Sequence, residues 1–530
     1  MKQTLRKYGA LALLLILIGG VCLRFGQSKS GMFIDEIYTY GLANSAKGAY
    51  LRDCAGGTLE DQILSRQDLL DYVTVQPGEG FSFRAVYDNQ AADVHPPLYY
   101  WLFHIASSLT PGLFSKWTGL VLDLLLYLGA LVLLWVLLKE LFESPVPALA
   151  GVALYGLSLM GLTTMLMIRM YVLLTLLTVG LAWCVARLMR EKKPALYMLT
   201  GLTVFAGVMT QYYFVFYAFF LCAAFVFYSL WKRDWKGTLL FAASAFAGIG
   251  LLLVCFPPCL EQLFADKLVS GGSALENLSD PSQYRERLVY FYKEVRHGMK
   301  VAVLIALAAA GALLIFGRRV FRCARAGKLP CRALLIVLPA FAALVLVALI
   351  SPVLDARYVY NLCPIFTVAV AMLIAWLELS TRDIRFFGTL KLLALGGLVL
   401  FCLWFARWSV PAYQYPEHAD YNAALSPYSS SPCVYLTDEH FEPLTEGLIQ
   451  LLTFEEVFTT SSPESPALKD YLAAFPAEDC VLYIDVNKFW SSGFDPEAML
   501  PGMLDLGYTD YELLYSYGLS QCYLLTNASK

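Results

Sequence analysis

Long apolar stretches separated by short polar segments fill the chain up to about residue 406. Roughly 17 to 22 apolar residues are enough for an α-helix to cross a hydrocarbon core of about 30 Å. Stretches near this length lie at 8–23, 117–138, 146–166, 170–187, 195–210, 212–231, 238–257, 299–316, 333–350, 361–379 and 388–406. The pattern therefore predicts an α-helical polytopic membrane protein with about eleven transmembrane helices.

One further apolar segment, 98–109, is too short to cross the membrane as a helix. At a rise of about 1.5 Å per residue it would cover less than the hydrocarbon core requires. Its Tyr99, Tyr100 and Trp101 are residue types that favour the membrane–water interface. We therefore expect a helix that lies along the outer membrane surface.

Clusters of lysine and arginine set the predicted orientation, because cytoplasmic loops carry an excess of positive charge. With eleven spans every cluster falls on the same side: Lys2, Arg6 and Lys7; Arg187, Arg190, Lys192 and Lys193; Lys232, Arg233 and Lys236; Arg318, Arg319, Arg322, Arg325, Lys328 and Arg332; and Arg382 and Arg385. We expect the N-terminus in the cytoplasm and the C-terminal region outside it. The first span has no small-residue cleavage site, so we expect an uncleaved anchor.

Three polar segments are predicted to face outward: a first loop at 24–116, a loop near 259–298 and the tail from 407. In the tail, Cys433–Leu436 and Val481–Val486 have the composition of buried strands, and 511–526 carries further strand signal. We therefore divide the chain into a transmembrane domain, 1–406, which includes the first outer loop, and a small extracytoplasmic α/β domain, 407–530.

Composition supports the membrane class and excludes others. Hydrophobic residues make up 58% of the chain and charged residues only 15%, whereas a soluble domain has about 25% charged residues. The net charge of −3 provides no broad basic surface, so nucleic acid is not an expected partner. Most cysteines lie inside apolar runs, and no Cys/His cluster has the spacing of zinc ligands.

Two acidic residues follow the first span, and ionisable residues at a membrane boundary are costly unless they have a use. Asp35 and Glu36 could remove a proton, bind a cation or stabilise a helix end. The alternative interpretation is structural, with Asp35 capping a short helix that begins at Glu36.

A second motif contains Asp93 and His95, followed by two prolines. Consecutive prolines favour an extended approach and then the first turn of a helix. His95 would then lie just before a helix N-terminus, a place that favours anions. A proline-rich turn with an incidental histidine explains the same residues.

Two arginines break the charge rule, because both are predicted to lie on the outer side. Arg169 precedes Tyr171 between the third and fourth spans, and Arg357 stands between Asp355 and Tyr358 after the ninth. Structural alternatives are a snorkelling Arg169 and a local Asp355–Arg357 ion pair. Together the four motifs place acids, a histidine and arginines on one membrane face, which is the equipment for holding a phosphate anion while a base removes a proton.

The order of these motifs resembles that of the GT-C membrane glycosyltransferases. The resemblance is to the bacterial branch similar to protein O-mannosyltransferases and the lipid A aminoarabinose transferase, and it covers about 1–406. It rests on Asp35-Glu36, HPPLYYWLFH at 95–104, IRMYVLLTLL at 168–177, QYYFVFY at 211–217 and ARYVYNLCP at 356–364. Gln211 departs from the pattern, because many relatives have a histidine there, and this weakens a metal or phosphate role at that position.

The resemblance implies transfer of a sugar from a polyprenyl-phosphate donor to an acceptor hydroxyl at the outer membrane face, with inversion at the sugar carbon. It implies that Asp35 is the general base, that Glu36 supports it or binds the acceptor, and that Arg357 and Arg169 hold the donor phosphate, with His95 as a weaker third contact. Further candidates are Tyr358 for the phosphate, and Asp93, Tyr99 and Tyr171.

The sequence leaves several points open. It fixes no cofactor, and a divalent metal remains compatible with the acidic residues. The expected partners are the lipid-linked sugar, a glycan, lipid or protein acceptor of the cell envelope, and membrane lipids. A transporter or flippase of lipid-linked sugars is the competing hypothesis, but it predicts ionisable residues near the bilayer midplane and an internal repeat.

Overall fold

The computed structural model describes residues 2–264, 274–327, 329–438, 440–476, 478–487 and 493–527. Lys328 lies outside the described residues, as do the side chains of Lys2, Arg6, Lys7 and Arg385. By its contacts the chain divides into two compact units. We name them the helical unit, which is Met1–Gly26, Val94–Tyr99 and Leu120–Ala412, and the sheet unit, which is Gln27–Asp93, Tyr100–Gly119 and Tyr413–Lys530.

The first thirteen helices are α1 (Lys2–Ser28), α2 (Ile34–Asn44), α3 (Leu51–Cys54), α4 (Arg66–Val73), α5 (Phe83–Ala92), α6 (Leu98–Ser108), α7 (Lys116–Leu141), α8 (Pro145–Gly156), α9 (Leu159–Leu166), α10 (Tyr171–Leu188), α11 (Pro194–Val208), α12 (Phe214–Trp231) and α13 (Trp235–Cys255). The later helices are α14 (Cys259–Phe264), α15 (Ala274–Ser279), α16 (Tyr284–Gly298), α17 (Lys300–Ile315), α18 (Gly317–Arg325), α19 (Leu334–Ile350), α20 (Cys363–Ser380), α21 (Arg385–Trp408), α22 (His418–Leu425), α23 (Phe441–Glu446), α24 (Leu448–Leu451), α25 (Pro466–Ala473) and α26 (Pro496–Leu504). Short 3₁₀ helices cover Pro281–Gln283, Cys331–Ala333, Ala356–Leu362 and Ser426–Tyr428. The strands are β1 (Gln62–Ser65), β2 (Cys433–Leu436), β3 (Glu456–Thr460), β4 (Cys480–Asp485), β5 (Tyr508–Tyr517) and β6 (Ser520–Asn527).

Within the described residues, 8 helices are long and apolar enough to cross a membrane, and two bent pairs would raise the number to 10. One bent pair is α8 with α9, and the other joins α16, preceded by its 3₁₀ turn, to α17. The apolar helix α11 is shorter than these. All eleven predicted stretches coincide with these helices, which confirms a multi-pass helical architecture. The number of crossings and the side on which each loop lies remain predictions.

The bends have local causes. α8 and α9 meet at 57°, where Ser158 accepts a hydrogen bond from Gly161 N–H and so starts a new helix inside a stretch that the sequence analysis treated as one span. α16 and α17 meet at 86°. α16 is rich in charged residues and α17 is almost wholly apolar, so the two have different solvent preferences. α6 has 11 residues, so it is too short to span the membrane, as predicted. Tyr99 and Tyr100 are 0% exposed, and the place of α6 along the outer membrane surface stays a prediction.

The sheet unit contains a 6-stranded sheet in the order β1-β3-β2-β4-β6-β5. Its centre is parallel, with β2 between β3 and β4, and β6 and β5 extend it in antiparallel fashion. The predicted strand Cys433–Leu436 is β2, and the signal at 511–526 forms parts of β5 and β6. Val434, Leu436, Leu482 and Ile484 are buried in the core of the sheet unit. A small C-terminal α/β domain is thereby confirmed.

The first outer loop contributes to the same sheet. Gln62 to Ser65 pair antiparallel with Thr459 to Glu456, so β1 covers the edge of β3. Arg66 extends this attachment, because its guanidinium donates to the carbonyl oxygens of Phe454 (3.0 Å) and Thr453 (2.9 Å). The sheet is therefore assembled from two widely separated parts of the chain, the first outer loop and the tail.

Candidate functional site

The acidic pair opens α2 in the sheet unit. The helix begins at Ile34 with Phe33 as its N-cap, and the Glu36 carboxylate accepts the Phe33 N–H at 2.7 Å. The Glu36 carboxylate therefore accepts a hydrogen bond from the N-cap N–H at the start of the helix, as the third helical residue of a capping box does. The alternative in which Asp35 caps a helix starting at Glu36 is wrong. The Asp35 side chain is partly exposed in the first helical turn.

Glu36 is held by a buried cation. Lys29 Nζ lies 2.9 Å from Glu36 Oε2, and both side chains are 0% exposed. Lys29 Nζ also donates to the Tyr413 carbonyl oxygen and lies 5.8 Å from the centre of the Tyr415 ring. These contacts place Glu36 in a structural network beside Asp35, which fits the supporting role that the sequence analysis allowed.

Asp35 belongs to a cluster of acids and tyrosines. The pKa of Tyr38 is raised, mainly by burial and then by the negative charges of Glu442, Asp35 and Asp93. The sheet unit thus brings together two candidate acids that are far apart in sequence. It adds Glu442 from α23, which packs against α2. Glu442 was not predicted from the sequence, because its tail segment carries no motif.

Tyr50 completes the aromatic part of this cluster. Its ring lies 6.4 Å from that of Tyr38 at an interplanar angle of 90°. Burial raises the pKa of Tyr50 to about 12, with further contributions from the charges of Asp93 and Asp53. Both phenols therefore stay protonated at neutral pH and can donate hydrogen bonds.

His104, at the end of the HPPLYYWLFH motif, has a structural role. Its Nδ1 lies 2.7 Å from the Ala43 carbonyl oxygen, and its Nε2 accepts the Ser82 N–H at 2.9 Å. This pair of contacts requires the neutral ring, and burial lowers the pKa of His104.

In the helical unit, Arg169 lies in the short connection between α9 and α10. It is 4% exposed, and its N–H bonds to the Met167 carbonyl oxygen at 2.7 Å. Two residues later α10 begins at Tyr171, so the arginine precedes a helix N-terminus whose backbone N–H groups also favour anions.

Arg357 sits in the 3₁₀ helix that follows α19. Asp355 caps this helix by accepting the Arg357 N–H at 2.9 Å, and its Oδ2 lies 3.2 Å from Arg357 Nε. The guanidinium lies 5.6 Å from the centre of the Tyr358 ring. The ring of Tyr213 stacks on Tyr358 at 4.7 Å and 22°. The local ion pair considered in the sequence analysis is therefore present, but the Arg357 side chain keeps 15% exposure.

Two contacts join the arginine motifs. The ring of Tyr171 packs edge-on against Tyr360 at 6.0 Å, and Asn361 Nδ2 donates to Thr178 Oγ1 at 3.0 Å. The start of α10, the start of α12 and the 3₁₀ helix after α19 thus meet in the helical unit. Three of the motifs recognised in sequence, at 168–177, 211–217 and 356–364, are brought together.

The HPP segment attaches to the same region through the backbone, since Leu98 N–H bonds to the Met209 carbonyl oxygen at 3.0 Å. His95 lies three residues before this attachment and is partly exposed. Tyr99 has a buried partner, because its hydroxyl donates to Asp123 Oδ1 at 2.8 Å and both residues are 0% exposed. Tyr99 therefore satisfies a carboxylate inside the helical unit.

A third arginine, Arg287, was not predicted. It is 6% exposed on α16, and its Nη1 donates to the Ser351 carbonyl oxygen at 2.8 Å. Both Arg287 and Arg357 act electrostatically on the Tyr213 hydroxyl. In sequence Arg287 is one of several charges in a polar loop, and no spacing distinguishes it. Among the described residues, no group of three or more His, Cys, Asp or Glu side chains could hold a metal ion.

Comparison with known proteins gives a match to a family model over part of the chain and a fold for nearly all of it. Residues 94–260 match the sequence model of the dolichyl-phosphate-mannose-protein mannosyltransferase family. No curated protein sequence matches the chain.

The solved structures that resemble it include ArnT from Cupriavidus metallidurans bound to undecaprenyl phosphate. That match has 10% identity and a TM-score of 0.54, and it covers 97% of this chain and 98% of ArnT. The apo form of the same protein matches with 12% identity and a TM-score of 0.50 over 98% of each chain. Archaeal oligosaccharyltransferase AglB from Archaeoglobus fulgidus has 12% identity and a TM-score of 0.47, covering 91% of this chain and 70% of AglB.

The near-complete coverage of ArnT extends the fold likeness to the C-terminal sheet as well as the membrane helices. The resemblance inferred from the order of the motifs is confirmed. This chain has the fold of the GT-C membrane glycosyltransferases, and its residues 94–260 are similar to the dolichyl-phosphate-mannose-protein mannosyltransferase family.

Proposed function

We propose that the protein transfers a sugar from a polyprenyl-phosphate donor to an acceptor hydroxyl at the outer face of the membrane. The observation that carries this proposal is the contact between the segment with Arg169 and the segment with Arg357, where the rings of Tyr171 and Tyr360 pack together in the helical unit. It is supported by the fold shared with ArnT, a protein whose structure is known with undecaprenyl phosphate bound.

The donor phosphate is assigned to Arg357 and Arg169. When the sugar leaves, the bond between its anomeric carbon and the phosphate oxygen breaks, and both electrons stay on that oxygen. Fixed cations directed at this growing charge lower the barrier. Arginine is suited to the task because its planar fork binds two phosphate oxygens and remains charged. The low exposure of Arg169 strengthens its electrostatic effect.

Asp35 is assigned as the general base. As the acceptor oxygen forms its bond to the anomeric carbon, its proton passes to the Asp35 carboxylate. A single displacement of this kind inverts the sugar carbon. The partial exposure of Asp35 leaves it accessible to an acceptor, whereas Glu36 is fully buried against Lys29. We therefore assign the proton transfer to Asp35 alone.

The reaction can be tested directly. Membranes containing the protein are incubated with polyprenyl phosphates that carry labelled sugars, and products are separated into lipid, glycan and protein fractions. We expect transfer of label that depends on the protein and is lost in a double Asp35→Asn, Arg357→Ala variant. Equal labelling by the double variant, inserted to the same level, would reject the proposed function.

A further inference from the structure

A cavity of ≈ 210 Å³ opens in the helical unit beside the 3₁₀ helix that carries Arg357. It is lined by Leu159, Met160, Thr163, Glu294, His297, Gly298, Ala356, Tyr360, Val410 and Ala412. Three elements supply most of its wall: α9, α16 and the 3₁₀ helix. None of the assigned catalytic or phosphate-binding side chains lines it.

The wall of the cavity is polar on one part and apolar on another. Glu294 and His297 are three residues apart on α16 and thus share one face of that helix. Thr163 adds a hydroxyl, which accepts the Ala412 N–H at 3.3 Å. Most of the remaining lining residues, such as Leu159, are apolar. A ligand that fits this wall has several hydroxyl groups around its edge and an apolar face.

The cavity is adjacent to the proposed phosphate clamp. Ala356 and Tyr360 line it, and Arg357 lies between them in the same 3₁₀ helix. A 3₁₀ helix rises only about 2 Å per residue. A group attached directly to a phosphate that is bound by Arg357 can therefore reach the cavity.

The volume of the cavity matches a small ligand. Since a water molecule takes about 30 Å³ in the liquid, the cavity has room for about seven waters. That is about the space of a single sugar ring. A lipid tail fits the cavity less well, because it offers no hydrogen bonds to the Glu294 carboxylate and the His297 imidazole in its wall.

We propose that this cavity is the subsite for the monosaccharide of the donor, with Glu294 and His297 hydrogen-bonding its hydroxyls. The proposal rests on the proposed function, since it takes the phosphate on Arg357 as its anchor. Glu294 and His297 are then specificity-determining residues, and Arg357 binds the part that all such donors share.

The test compares donor binding with and without the sugar. Purified full-length protein in detergent is titrated with undecaprenyl phosphate, and separately with undecaprenyl phosphate that carries mannose, glucose, galactose or arabinose. We expect at least one sugar form to bind more tightly than the bare lipid phosphate. Glu294→Ala and His297→Ala should each weaken that form about tenfold, the effect expected for a lost hydrogen bond to a charged or polar group.

The bare lipid phosphate is the internal control, because both variants should bind it as the parent does, which also shows that they fold. Lys293→Ala is the matched control: Lys293 is the exposed neighbour of Glu294 and lies outside the cavity lining. If both variants keep the full preference for the sugar form, or weaken both ligands equally, the subsite is wrong while the proposed function stands. If the parent binds neither ligand, the proposed function itself fails.

Discussion

Lys29 and Glu36 form an ion pair of 2.9 Å in which neither side chain is exposed to solvent. The pair ties the start of α2, where Asp35 lies, to the segment that begins the tail. That segment is held in an unfavourable backbone conformation, since Tyr413 and Tyr415 have φ of 65° and 48°. Large side chains adopt this left-handed region only when surrounding contacts enforce it.

Breaking this pair should destabilise the sheet unit. Glu36→Gln leaves the Lys29 ammonium buried without its counter-charge, a change that costs about 3–5 kcal/mol. We expect a lower melting temperature and faster proteolysis of the tail. The double variant Lys29→Met, Glu36→Gln removes both charges and should recover much of the loss. No recovery in the double variant would mean that the pair is not the source of stability.

Replacing Asp35 should affect turnover with little effect on donor binding. Asp35→Asn keeps the size of the side chain but cannot accept the acceptor proton, so turnover should fall by about 10²-fold or more. Asp88→Asn is the matched control, because Asp88 is an exposed carboxylate paired with Arg84 on α5. Near-normal transfer by Asp35→Asn would move the base assignment to Asp93, the other candidate acid near Tyr38.

Removing Arg357 should lower both donor affinity and turnover, because the charge acts in the bound state and in the transition state. Arg357→Lys keeps the charge and loses the two-pronged contact, so it should fall between the parent and Arg357→Ala. Asp355→Asn separates the two interpretations of the ion pair. If Asp355→Asn loses as much donor affinity as Arg357→Ala, Arg357 acts mainly as a structural partner of Asp355.

The stability of the sheet unit should depend on pH through His418. Burial lowers the pKa of His418 to about 4, with smaller opposed contributions from the charges of Glu417 and Lys29. Its Nδ1 lies 2.9 Å from Gln450 Nε2, and the neutral ring can accept that amide proton. Because the unfolded chain takes up a proton near pH 6.5 and the folded chain only near 4, stability is lost as pH falls through this window, by up to about 3 kcal/mol.

Asp485 has the opposite effect on the pH dependence of stability. Burial raises the pKa of Asp485 to about 6, so the folded protein binds a proton more readily than the unfolded chain and is stabilised as the pH falls. The measurement is therefore the difference in unfolding free energy between the parent and His418→Gln, followed from pH 7 to pH 4. This difference should shrink on acidification. Ser429→Ala, at an exposed residue that does not titrate, should show a constant difference. A His418→Gln difference that is equally constant would contradict the assigned pKa.

The predicted orientation can be checked by labelling intact cells with an impermeant thiol reagent. The background is a variant in which the exposed Cys255 and Cys331 are replaced by serine. A cysteine at exposed Arg325 should resist labelling, because its loop carries the largest positive cluster. A cysteine at exposed Glu464 should react. Labelling of position 325 from outside would reject the eleven-span topology.

The membrane helices could be predicted because the bilayer demands long apolar runs, and these are legible in a single sequence. β2 could be predicted for a related reason, since all four residues of Cys433–Leu436 are buried. β1 could not. Gln62–Ser65 is short, only Leu64 in it is fully buried, and Ile63 is 52% exposed. Gln62–Ser65 forms a strand because it pairs with β3, and no pattern within the segment itself predicts that pairing.

The candidate site shows the same limit. Arg357 stands out in sequence because it occurs in an apolar setting with an acid and an aromatic beside it. Arg287 and Glu442 lie in segments where charge is common, and only long-range packing places them near Tyr213 and Tyr38. Lys29 was missed for another reason: a lysine shortly after a span is usually solvated, and here it is buried.

The strand supplied by the first loop also constrains how the protein is made. Arg66 and Phe454 are joined by a hydrogen bond although they are 388 residues apart. During synthesis β1 emerges long before β3 has been made. The backbone of β1 therefore has no partner strand while the later helices are inserted. The sheet closes only after the tail has been delivered to the same compartment as the first loop. A failure to insert any late helix would therefore leave an open strand edge, a feature prone to aggregation and accessible to proteases.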